Sequence, residues 1–216
     1  EVIKLLNTAG ATYILSMCNP IENVDKYIPA KSKALNLGIY GADLSYASTY
    51  QMKQETMNYL KVSKKLIDEL QITSAFNVEF AQRVEKNIDN KDSLIRIISD
   101  SFYDTYEFLV NNGKDNTSIL IMTGSWVEGL YITTQMAIIS KNNEDMLKIV
   151  ANQKEPLTKL LELMVPYKTD KDVAEMADAL KPLADIYAMV GVEKLTTEQF
   201  EQINKAVSQV RGILVQ

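Results

Sequence analysis

Two carboxylates stand out because of the segments that carry them. Asp43 is the only charged residue between Ala34 and Ala47 (ALNLGIYGADLSYA), and Glu128 is the only one between Thr117 and Ser140. A helix that is apolar on every side is usually central, so both acids are expected in the interior or on a cleft wall. A buried carboxylate must be paired, hydrogen-bonded or protonated. As functional groups, the two would contact a ligand or cation in an internal cleft. As structural groups, they would bond to Tyr hydroxyls or Lys, or reach solvent at the helix edge. Two carboxylates could also act as acid and base in glycoside hydrolysis, but nothing in the sequence specifies their separation.

Tyrosine is over-used, with 11 Tyr against 5 Phe and 1 Trp. Tyr40 and Tyr46 fall on the first apolar segment, followed by Tyr50; Trp126 and Tyr131 fall on the second. A tyrosine buries its ring yet needs a partner for its hydroxyl. Such rings suit the rim of a pocket for an apolar or sugar-like ligand, or the boundary positions of a helical bundle. The candidate ligand-binding set is therefore Asp43, Glu128, Tyr40, Tyr46, Trp126 and Tyr131. No catalytic residue is assigned.

Much chemistry is excluded by what is missing. The chain of 216 residues has no histidine and one cysteine, which removes His-based triads, His or Cys-cluster metal sites and any intrachain disulfide. Neither a metal nor a cofactor is expected. A hydrolase would need a Ser–Lys arrangement, and Ser63-Lys64 and Lys31-Ser32-Lys33 have no supporting frame. There is no phosphate-binding glycine loop and no dinucleotide fingerprint. The sequon Asn116-Thr117-Ser118 sits at a helix start and reads as an N-cap.

The elements that must position these residues are helices. Apolar residues recur at helical spacing through most of the chain, and no long stretch alternates with period two. The first helix is expected over residues 1–17, ended by Asn19-Pro20, with a connector up to Pro29. A long helical stretch follows from Ala30 to Leu70, with a break near Ser48 to Gln51. Ser74 is expected to cap a helix reaching Ile88. Another helix runs from Asp92 to Val110, where Asn111-Asn112-Gly113 supplies C-cap chemistry. Beyond the second apolar helix, Asn142-Asn143 separates off a helix to Tyr167 with Pro156 at a kink or start. Asp170 opens a helix through Met189, which Pro182 should bend or divide. Thr196 and Gln199 have capping-box spacing for the last helix. Eight or nine helices with short loops make one all-α domain, a multi-helix bundle over 1–216.

The two apolar segments align at an offset of 86, matching Gly38 with Gly124, Tyr40 with Trp126 and Leu44 with Leu130. The match suggests an internal duplication into halves 1–113 and 114–216. Glycine inside a helix costs about 1 kcal/mol relative to alanine. Close crossing of the two helices, or the approach of a ligand, would offset that cost.

The net charge is −5 and Lys+Arg total 23. Lysine dominates and is scattered without a basic stripe, which argues against nucleic acid as a partner. Ser118 to Ser140 has a mean hydropathy of only about 0.8 over its first 19 residues and is expected in a protein core rather than a bilayer. The chain opens on Glu-Val-Ile-Lys, so any signal peptide or lipoprotein cysteine would lie upstream. Cys18, at the end of a helical segment, is not expected to be a lipidated residue.

The stretch Ala34 to Gln51 (ALNLGIYGADLSYASTYQ), in a Lys-, Asn- and Ile-rich, Arg-poor chain, resembles uncharacterised helical proteins exported by Bacteroidetes. Many of those are lipoproteins of the cell envelope by prediction. The resemblance implies an exported location, periplasmic or outer-membrane-anchored, with membrane attachment through an upstream lipid anchor. It implies no activity and no catalytic residues. The expectation is a non-catalytic binding or interaction module for a small-molecule or protein ligand. The alternative is a carboxylate-based enzyme with a central cleft.

Overall fold

In the computed structural model, residues 12–72, 79–140, 144–191 and 195–216 are described. Among them 82% are helical and none is in a strand, so the chain is an all-α multi-helix bundle. The helices are α1 (Ala30–Thr49), α2 (Lys53–Glu69), α3 (Glu79–Lys86), α4 (Lys91–Asn111) and α5 (Asp115–Ile139). They continue with α6 (Glu144–Ala151), α7 (Lys154–Met164), α8 (Lys171–Ala188) and α9 (Thr197–Leu214). No helix among the described residues is long and apolar enough to cross a membrane.

The helix ends follow local chemistry. After α1, Gln51 adopts φ 58°, its N–H donates to the Ser48 carbonyl, and Met52 N–H reaches back to the Ala47 carbonyl at 2.9 Å. After α4, Gly113 at φ 66° does the same, with Lys114 N–H on the Leu109 carbonyl at 2.8 Å. Both are left-handed caps that satisfy otherwise orphaned carbonyls. Asp170 caps α8 through Val173 N–H, and Thr196 with Gln199 forms the capping box of α9.

Several expectations change. Residues 12–17 are not α-helical; they hold a single 3₁₀ turn, Leu15–Met17, while residues 1–11 lie outside the described residues. Ser74 and Asn142-Asn143 also lie outside them. Asn116 is not an N-cap: α5 begins one residue earlier, and the Asn116 amide donates to Asp170 Oδ2 at 2.6 Å, tying α5 to the start of α8. Pro182 leaves α8 continuous. It faces solvent, where water can satisfy the carbonyl one turn earlier.

The two apolar helices form the centre, and α1 against α5 is the largest helix contact of the fold. The glycines set its closeness. A side chain on Gly38 would collide with the Ile121 carbonyl, and one on Gly124 with the Leu35 carbonyl. Leu35 and Ile121 are themselves one offset of 86 apart, so the crossing is reciprocal. Around this pair, α2 covers α1, α9 packs on α5 and α8, and α4 lies across both central helices.

The segment before α1 is a strap. It runs from Thr12 through a second 3₁₀ turn, Ile21–Lys26, to Tyr27 and buries Met17, Cys18, Asn19, Val24 and Tyr27.

Candidate functional site

The sequence's two lone acids meet a third group. Glu128 on α5 is fully buried and takes both prongs of Arg211 from α9, with Nε to Oε2 at 2.6 Å and Nη2 to Oε1 at 2.8 Å. Arg211 Nη2 also donates to the Met17 carbonyl of the strap at 3.1 Å. Its guanidinium lies 4.2 Å from the centre of the Tyr131 ring, a cation–π contact. Burial pushes the Glu128 carboxyl up, and the hydrogen bonds and charge of Arg211 pull it back. Burial disfavours the charged guanidinium, but Glu128 outweighs it and holds Arg211 above its ordinary value.

Asp43 on α1 is also fully buried. Its Oδ2 accepts the Asn19 N–H of the strap at 3.1 Å, and its Oδ1 makes no hydrogen bond. Burial first, then the nearby Glu128 charge, raise its carboxyl well above the ordinary range. One guanidinium serves two carboxylates, and it is committed to Glu128. A protonated Asp43 resolves the orphaned oxygen, because its hydroxyl can donate to Glu128, which lies within hydrogen-bonding reach.

Tyr40 and Tyr46 are completely buried, and both hold the strap. The Tyr40 hydroxyl donates to the Pro20 carbonyl at 2.9 Å. The Tyr46 hydroxyl accepts the Ile14 N–H at 3.0 Å, and its ring lies 4.7 Å from that of Tyr13. Asn19 and Asn36 extend the polar seam. Asn19 donates to Tyr27 and to Asn36, and Asn36 donates to the Leu214 carbonyl at 2.8 Å, joining strap, α1 and the end of α9.

Of the six candidate residues, then, Asp43, Glu128 and Tyr131 gather around Arg211, and Tyr40 and Tyr46 anchor the strap. Trp126 stands apart, on a groove of about 410 Å³ formed chiefly by α4 and α5. Phe102, Tyr106 and Leu109 of α4 face Ile121, Met122 and Trp126 of α5, with Leu37 of α1 beneath. The Phe102 ring occupies the space a side chain on Gly41 would need, which seats α4 against α1. No lining residue is an acid, a lysine or an arginine, and the Trp126 indole N–H is buried without an acceptor. Among the described residues no group of acids and Cys18 is arranged to hold a metal ion.

Arg211 is the residue of the cluster that the sequence pattern does not single out, although it is one of only three arginines and sits among the apolar positions Val207, Val210 and Leu214. The α4 half of the groove gave no signal, because an ordinary amphipathic face reads the same whether a helix or a ligand covers it. Comparison with known proteins yields no relative: no protein-family model matches the chain, and no curated protein or solved structure matches it either.

Proposed function

We propose that the chain is a non-catalytic helical binding module whose ligand site is the groove between α4 and α5, and that it takes a small, uncharged, apolar molecule. The groove itself carries this reading: about 410 Å³, walled mainly by aromatic and aliphatic side chains, with Thr105, Ser118 and Ser125 among them, and free of charged ones. Small-molecule sites are typically concave and mostly apolar, with volumes of roughly 300–1,000 Å³. A charged ligand would lose its hydration there with no opposite charge to replace it. The carboxylate-enzyme alternative lacks comparable support, since Asp43 and Glu128 are both sealed and Glu128 is held by Arg211.

Trp126 is the only tryptophan of the chain, so its emission reports on the groove. Titration with 1-decanol should shift it saturably, and decanoate, of the same chain length but charged, should bind at least about tenfold more weakly. Met122→Glu should abolish the decanol response. No response to decanol, or an equal response to decanoate, would overturn the reading.

The resemblance supports placing the module in the bacterial cell envelope, and the reciprocal Gly38–Gly124 crossing supports reading 1–113 and 114–216 as related halves. Sequencing the gene upstream tests the first: a leader ending in a lipidation cysteine is expected, and a leaderless start would refute it.

A further inference from the structure

The strap is held by a polar seam that includes one buried acid, Asp43. Asn19 N–H bonds to Asp43, Arg211 clasps the Met17 carbonyl, and Tyr46 and Tyr40 take the Ile14 N–H and the Pro20 carbonyl. Cys18 and Asn19 are buried beside Asp43 and form its lid. We infer that the segment Thr12–Tyr27 is a latch locked by a proton on Asp43, and that raising the pH favours its release.

The charge count around Asp43 supports this. From α5 it faces Glu128, from α9 Arg211, and from the strap Cys18 and Tyr13. Tyr59 of α2, and Tyr40 and Tyr46 of its own helix, complete the surroundings. Burial pushes the Cys18 thiol and all four of these tyrosines up, so they stay neutral. Among the described residues the only cation facing Asp43 is Arg211, and Glu128 already balances it. An ionised Asp43 would therefore add one uncompensated negative charge to a closed interior. Opening the strap lets water reach the carboxylate, so the open form gives up the proton more readily than the closed form. Opening then becomes more favourable by about tenfold per pH unit from the ordinary carboxylate range upward, until Asp43 ionises in the closed form as well.

Hydrogen exchange read by mass spectrometry, corrected for intrinsic rates, tests the inference between about pH 5 and pH 8. In the wild type, protection of a peptide spanning 12–27 should fall with pH and stay well below that of the centre of α5 throughout, because the strap opens without the core. Asp43→Asn keeps an acceptor for Asn19 and a donor toward Glu128 but cannot ionise, so its strap protection should be flat across the range. Equal pH profiles for wild type and Asp43→Asn would overturn the latch, as would a strap as strongly protected as the centre of α5, which would mean that it opens only on global unfolding. Should Asp43→Asn fail to fold, the carboxyl ¹³C resonance of Asp43 in the wild type decides. A protonated shift at pH 6 supports the latch and a carboxylate shift refutes it.

Discussion

Arg211 grips Glu128 through two parallel hydrogen bonds of 2.6 and 2.8 Å inside the bundle, joining the last helix to the central one. A bidentate pair of this kind is a strong interaction, yet both ions give up water to form it. The asymmetry sets the first prediction. Arg211→Met leaves Glu128 buried without its cation and should destabilise by about 3–5 kcal/mol. Adding Glu128→Gln removes the orphaned charge and should recover a large part of that loss. Urea unfolding of the single and double variants measures both. A double variant as unstable as Arg211→Met would show that the pair matters for shape rather than charge.

Asp43 gives a second prediction, in the stability of the whole fold. Its carboxyl is raised in the folded protein by burial and by Glu128. The folded state then binds more protons than the unfolded chain between the ordinary carboxylate value and the raised one. The contribution is fully present below the unfolded value and is lost as pH rises toward the folded one. Wild-type stability should fall by up to about 1.4 kcal/mol per pH unit through that window, relative to Asp43→Asn. Denaturant midpoints at several pH values give the comparison, and parallel curves would mean that Asp43 is not protonated.

Cys18 provides a third. It is buried, and burial pushes its thiol up. The thiolate is the reactive species, so the native protein should react with a soluble disulfide reagent on the order of a hundredfold more slowly than the unfolded chain. Fast native labelling would mean that the strap does not cover it.

How far the sequence reveals all this depends on how local each cause is. Gly113, Asp170 and the Thr196–Gln199 box act within four residues, and each ends or starts its helix where the pattern says. The uncharged faces around Asp43 and Glu128 correctly mark two central helices, because no solvent-facing helix lacks charge all round. The residues that complete the cluster come from far along the chain: Arg211 lies 83 positions from Glu128, and Asn19 lies 24 from Asp43. No periodicity carries such a pairing. The strap shows the opposite failure. Tyr13, Ile14 and Met17 have helical spacing, but Tyr46 takes the Ile14 N–H and the Thr12 carbonyl, Asp43 the Asn19 N–H and Arg211 the Met17 carbonyl, and only a 3₁₀ turn forms. Tertiary hydrogen bonds there override local propensity.

The glycines of the central crossing yield the last prediction. A methyl group on Gly38 would meet the Ile121 carbonyl and the Ser125 amide, and one on Gly124 would meet the Leu35 carbonyl. These obstacles are backbone, so neither helix can yield by turning a side chain. Alanine ordinarily improves a helix by about 1 kcal/mol over glycine, and here that gain should be reversed. Gly38→Ala and Gly124→Ala should each destabilise, and the leucine variants should cost about 1–3 kcal/mol or more through overpacking. Gly212 on α9 is the internal control, since nothing lies within 4 Å of where its methyl group would sit. Gly212→Ala should therefore stabilise, by up to about 1 kcal/mol. Opposite signs at Gly38 and Gly212 in denaturant unfolding would separate close approach from helix propensity. If Gly38→Ala and Gly124→Ala instead raise stability as Gly212→Ala does, α1 and α5 do not cross backbone to backbone.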